Sequence, residues 1–210
     1  MSAATSSRPR WGFWFTLAAV AVLMRLAPQL AVRLSSAGYD MKSINYAWGF
    51  TPIIAIGLYA GAFLKSRWQA VGLMLGMLFL GDLGILALSR DFSQLDPGNY
   101  LAYPLFALLG RPLSEYRSFG RVQAGGFLAC SLYFLLTNFL VWAAWRHIYS
   151  IEMYPPTLDG LKACMIAAIP FAKYFLSTPV FCVLLFSPLG VAQAAESKAQ
   201  GKSDLVAQAV

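Results

Sequence analysis

A long apolar stretch constrains this chain more than any other feature. It runs from about Val122 to Trp145 and contains Ser131-Leu-Tyr-Phe-Leu-Leu-Thr-Asn-Phe-Leu-Val-Trp142. At about 1.5 Å of rise per residue, a helix of this length crosses the roughly 30 Å of hydrocarbon in a bilayer. Within it, Thr137 and Asn138 have no water to satisfy them, so they mark a face turned toward a partner helix or a cavity.

The rest of the chain repeats the pattern. Of its 210 residues, 59% are hydrophobic and 12% charged, against about 25% charged in a soluble domain. The charges fall between apolar blocks, which predicts an all-α, polytopic membrane helix bundle with no separate soluble domain. The net charge of +7 does not read as a nucleic-acid surface, because the Lys and Arg residues punctuate the spans and form no basic stripe with interleaved aromatics. Cys130, Cys164 and Cys182 each lie in an apolar run without Cys-x-x-Cys spacing and read as small core residues. One histidine, His147, cannot build a metal site alone and reads as an interfacial anchor. No metal and no cofactor is expected.

Six spans and one shorter helix account for the apolar blocks. Arg8 and Arg10 followed by Trp11 to Met24 imitate a signal peptide, but no small-x-small cleavage site follows, so the segment is kept as the first span, about Trp11 to Leu34. The second is about Tyr46 to Leu64, and the third about Trp68 to Ser89, joined by the basic turn Lys65-Ser-Arg67. Gly57 with Gly61, and Gly72 with Gly76, give two faces for close helix approach. A short fourth span containing Pro104 ends near Leu113, and the fifth is the opening stretch. From Leu158 to Ala172 a run of some 15 residues with Lys162 and Pro170 predicts a re-entrant or interfacial helix, with Thr157 as its cap. The last span, about Tyr174 to Ala194, restarts at Ser177-Thr178-Pro179, with the proline in its first turn. Residues 1–10 form an N-terminal tail, 11–194 the bundle and 195–210 a disordered tail.

The basic residues orient this arrangement. One side holds nine: Arg8, Arg10, Lys65, Arg67, Arg111, Arg117, Arg121, Lys198 and Lys202; the other holds Arg33, Lys42, Arg90, Arg146, Lys162 and Lys173. That excess places both termini in the cytoplasm. Measured from the basic residue at each cytoplasmic end, Arg25, Asp82 and Asn138 lie 15, 15 and 17 residues along their spans, about 22 to 26 Å deep. They share a level in the outer half. Either Arg25 and Asp82 pair as a purely structural contact, or these groups line a cavity open to the outside. In the second reading Arg25, Asp82 and Asn138 form the lining and Asn45, Trp48, Trp142 and Lys173 the mouth. There are no paired carboxylates on one helix face, no His-x-x-x-His, no Gly-rich phosphate loop and no aspartate-rich diphosphate motif, so binding is favoured over catalysis.

Several short motifs carry a resemblance. Phe50-Thr51-Pro52-Ile-Ile-Ala55, Gly81-Asp82, Gly110-Arg111, Ser131 through Thr137-Asn138-Phe139 to Trp142, and Tyr154-Pro155 with Thr157, Gly160-Leu161, Cys164 and Ala168-Ile-Pro170-Phe171 together resemble a family of uncharacterised bacterial polytopic membrane proteins. That family is in turn similar to the substrate-binding S subunits of energy-coupling-factor (ECF) vitamin transporters. The short apolar helix ending in Pro-Phe, the polar restart and the final span are similar to biotin-uptake subunits, in which a Gly-Asp pair and a lysine open the last helix. Here the restart reads Phe175-Leu-Ser-Thr178-Pro-Val, with Lys173 upstream. The Ala-x-x-x-Ala docking signature is met by Ala27 and Ala31 but not by Ala18 and Val22.

The resemblance implies a six-helix, multi-pass protein of the bacterial inner membrane that captures a small-molecule or vitamin substrate in its outer half. It also implies a transporter energising module as partner. The alternative is a structural or assembly membrane protein with no small-molecule ligand, its polar groups serving only to join helices.

Overall fold

The computed structural model describes residues 11–40, 50–92, 95–115, 118–149 and 153–194. The expected N- and C-terminal tails, Asn45, Trp48 and the side chain of His147 lie outside the described residues. Among those described, the chain is all-helical, with seven named α-helices. They are α1 (Trp11–Ser36), α2 (Ile53–Phe63), α3 (Arg67–Ser89), α4 (Gly98–Gly110), α5 (Phe119–Tyr149), α6 (Leu158–Ala168) and α7 (Tyr174–Leu185), and residues 188–194 are helical again.

Three helices, α1, α3 and α5, are long and apolar enough to cross a membrane. Their outward faces carry Phe15 and Leu23, Phe79 and Leu80, and Phe127 and Leu135, all more than half exposed. An exposed apolar area of that extent suits lipid rather than water. The chain has the length pattern and composition of a membrane protein.

Of the six expected spans, the second and the short fourth hold α2 and α4. Eleven and thirteen residues reach only about 17 and 20 Å, short of the roughly 30 Å core. The start of the expected second span, at about Tyr46, lies outside the described residues; residues 50–52 are non-helical, and Pro52 occupies the N-cap of α2. Short as it is, α2 is the only helix among those described in which every residue is buried. It packs on α3, α4, α5 and α7. Its non-helical entry is held from within the protein, where the Ser177 hydroxyl donates to the Thr51 carbonyl at 3.0 Å.

Glycine brings α2 and α4 into backbone contact. A Cβ at Gly61 would strike the Ala107 carbonyl, and one at Gly110 would strike the Leu58 carbonyl. The Gly57/Gly61 face is therefore a close-packing face, as its spacing predicts. Gly72 and Gly76 are not, since a Cβ at either would meet nothing within 4 Å. The same spacing occurs on both helices, and only tertiary position separates them.

Helix ends follow local chemistry. Ser66 and Gln69 form a reciprocal capping box at the start of α3. Thr157 caps α6 as expected, its hydroxyl accepting from the Gly160 N–H at 3.2 Å. The restart near Ser177 is not a helix start, because α7 begins at Tyr174 and Pro179 lies inside it.

Beside α5, contacts advance in order. The Trp142 indole N–H donates to the Pro155 carbonyl, the Cys164 thiol to Asn138, the Cys130 thiol to Tyr174, and the Gln123 amide to Pro179. As α5 is descended, the partner chain ascends in number. So α6 and α7 together pack along a single flank of α5, as either one broken span or a re-entrant helix leading into the last span would. They run as one line antiparallel to α5, broken by a 49° bend at the short 3-10 turn Ile169–Phe171.

Candidate functional site

The polar groups of the bundle collect at one level, toward the end that carries the α1–α2 and α3–α4 connections. Arg25 comes from the middle of α1 and Asp82 from the buried stripe of α3. Their side chains pair at 2.5 Å, with exposures of 14% and 7%. The Arg25 Nη1 also donates to the Tyr103 hydroxyl at 3.1 Å. Gly81 makes the pairing possible, since a Cβ there would lie 2.6 Å from Arg25 Cδ and 2.9 Å from its Nε. The Gly81-Asp82 pair thus supplies both the clearance and the counter-charge.

A cavity of about 330 Å³ lies against this pair. Its polar lining comprises Arg25, Gln29, Thr51, Asp96, Asn99, Tyr103, Tyr133 and Tyr174, with Ile53, Ile54 and Ile85 among its apolar walls. Asp82 lies behind Arg25 rather than in the lining. Asn99, in the first turn of α4, is 4% exposed and accepts a 2.7 Å bond from the Tyr133 hydroxyl. Asp96, just before that helix, accepts from the Gly98 N–H at 2.9 Å. Burial pushes its carboxyl above the ordinary range, partly opposed by the Gly98 bond and by Arg25.

Asn138 belongs to a neighbouring cavity. That one, of about 340 Å³, is lined by Thr137, Asn138, Met153, Tyr154, Cys164 and Phe171 among others. Tyr133 and Tyr174 border both cavities. Their rings meet edge to face with centroids 4.9 Å apart, forming the partition. The mid-span polar groups are satisfied by their own helix: Thr137 donates to the Tyr133 carbonyl and Asn138 to that of Phe134.

Of the seven residues proposed from the sequence, the structure joins Arg25 and Asp82 and puts Asn138 one partition away. Trp142 lines neither cavity and instead pins the α5–α6 connection through Pro155. Lys173 also lines neither; it sits half-buried at the N-cap of α7. Asn45 and Trp48 lie outside the described residues. Sequence reasoning missed Asp96, Asn99, Tyr103, Tyr133 and Tyr174. Asp96 and Asn99 fall in what reads as a polar loop, and the tyrosines read as ordinary span aromatics.

Among the described residues, no group of three or more His, Cys, Asp or Glu is placed to hold a metal ion. The three cysteines are free and buried.

Residues 5–200 match the model of a family of unknown function, DUF6580. No curated protein and no solved structure matches the chain.

Proposed function

We propose that this chain, which belongs to the DUF6580 family, is a substrate-binding membrane protein of the S-subunit kind, the capture component of a small-molecule uptake system. The observation that carries this reading is the 330 Å³ cavity bearing Arg25, Asp96, Asn99 and three tyrosines inside an otherwise apolar bundle. Polar groups are costly at that depth, and a cavity supplies them with a partner when a ligand enters. In this reading the protein resides in the bacterial inner membrane with both termini in the cytoplasm, and the cavity faces outward. An energising module docks at the opposite end, where the Lys65 and Arg111 loops are joined by a hydrogen bond from Arg111 to the Lys65 carbonyl. The role is binding rather than catalysis.

A structural role is the second reading, and the closed Arg25–Asp82 pair favours it. Metabolite extraction from the purified protein separates the two. Mass spectrometry of the extract is expected to reveal a copurifying small molecule, whose re-addition raises the thermal midpoint of the wild type but not of Asn99→Leu. If no fraction of the extract or of a metabolite library stabilises the wild type, the structural reading stands instead.

A further inference from the structure

We propose that the 330 Å³ cavity takes a small organic cation, with the Asp96 carboxylate as its counter-charge and the Tyr103, Tyr133 and Tyr174 rings around it. The inference rests on the binding role proposed above and names the ligand class. Arg25 would at first sight suggest an anion. Two of its nitrogens are already engaged, Nη2 on Asp82 and Nη1 on the Tyr103 hydroxyl, while Nε has no hydrogen-bond partner and is packed against Gly81, where a Cβ would lie 2.9 Å from it. Arg25 and Asp82 cancel each other, with Asp82 on the far side of the guanidinium from the cavity.

Among the described residues, the charged groups bearing on the cavity are then few. They are Arg25 from α1, Asp82 behind it on α3, and Asp96 ahead of α4; α2, α5 and α7 contribute only Ile53, Ile54, Tyr133 and Tyr174. Once the Arg25–Asp82 pair is discounted, one negative charge remains among the described residues, and none of them forms an ion pair with Asp96. A carboxylate beside three aromatic rings is the arrangement that favours an ammonium group. Coulomb attraction and the negative ring faces act in the same direction, and an anion would be repelled by both. Desolvation of Asp96 strengthens that preference, because a cation that enters restores the partner the carboxylate lacks.

The test compares three probes of similar size and different charge on the full-length chain in lipid nanodiscs: tetramethylammonium, tert-butanol and pivalate. Tetramethylammonium is expected to bind by calorimetry and to raise the thermal midpoint, while tert-butanol and pivalate do neither. Asp96→Asn should weaken the cation by about ten- to a hundredfold, and Gly76→Ala, on the open face of α3, should leave it unchanged. The ranking in the unmutated chain needs no variant, so a failure of Asp96→Asn to fold leaves the test intact. If pivalate or tert-butanol binds and tetramethylammonium does not, the cation class is overturned while the binding role survives. If no probe binds and no metabolite copurifies, the binding role falls and this inference with it.

Discussion

Removing one partner of the Arg25–Asp82 pair should damage the fold far more than removing both. In Asp82→Leu the guanidinium keeps its Tyr103 contact but loses the carboxylate 2.5 Å away, in a site where both side chains are largely shielded. Breaking a buried pair from one side costs about 3 to 5 kcal/mol, whereas replacing both members by apolar residues is often neutral or stabilising. At roughly 2 to 4 °C per kcal/mol for a chain of this size, the single variant should unfold about 6 to 20 °C lower. Arg25→Leu alone should be similarly harmful, because it strands the buried Asp82 without its counter-charge. The double variant Arg25→Leu/Asp82→Leu should recover most of the loss. Thermal unfolding of all four proteins in one detergent, read by intrinsic fluorescence, gives the coupling as a double-mutant cycle. If Asp82→Leu is no less stable than the double variant, the two charges are not energetically coupled and the argument fails.

Other expectations follow from packing, capping and titration. Gly61→Ala and Gly110→Ala each force a Cβ onto a facing carbonyl and should cost about 2 to 4 kcal/mol. Gly76→Ala has open space and should be neutral or stabilising by up to about 1 kcal/mol; chemical unfolding ranks the three. Thr157→Ala removes the α6 cap and should cost about 1 kcal/mol, seen as faster amide exchange in the first turn of α6 while α1 and α3 are unaffected. The Asp96 carboxyl is raised above its ordinary 3.8 in the folded chain, so the folded state holds the proton more tightly than the unfolded one. The stability it contributes is present below the ordinary carboxyl value and is lost as pH rises through the folded one. Between about pH 4 and pH 7 the wild type should therefore lose more stability than Asp96→Asn in parallel melts; equal slopes would place that carboxyl in water.

Much of the architecture could be read from apolar run length. α1, α3 and α5 lie where hydropathy puts them, and Thr157 caps the helix it precedes, because these signals are local. Equal depth along the spans brought Arg25 and Asp82 to one level, since the rise per residue is the same in every helix. Burial was not legible. Composition is alike for a helix wrapped by protein and one wrapped by lipid, so the eleven residues of α2 read as part of a full span. That α6 and α7 share one flank of α5 was not legible either, because the contacts that show it are separated by 13 to 56 positions in sequence. At the site, Asp96 and Asn99 were hidden by their position in a turn, and the partition that puts Asn138 in a neighbouring cavity depends on Tyr133 and Tyr174, 41 positions apart in sequence.

The enclosure of α2 has a consequence for biogenesis. A segment of eleven residues that touches no lipid gains nothing from partitioning into the bilayer by itself, and of the helices around it only α1, through Phe13 and Trp14 against Tyr59, precedes it, while α3, α4, α5 and α7 emerge later from the ribosome. Nascent chains halted before Ser89 should expose α2 to proteases and chaperones, and it becomes sheltered only as the later helices close around it. The innermost part of this protein is thus among the first to be synthesised and the last to be secured.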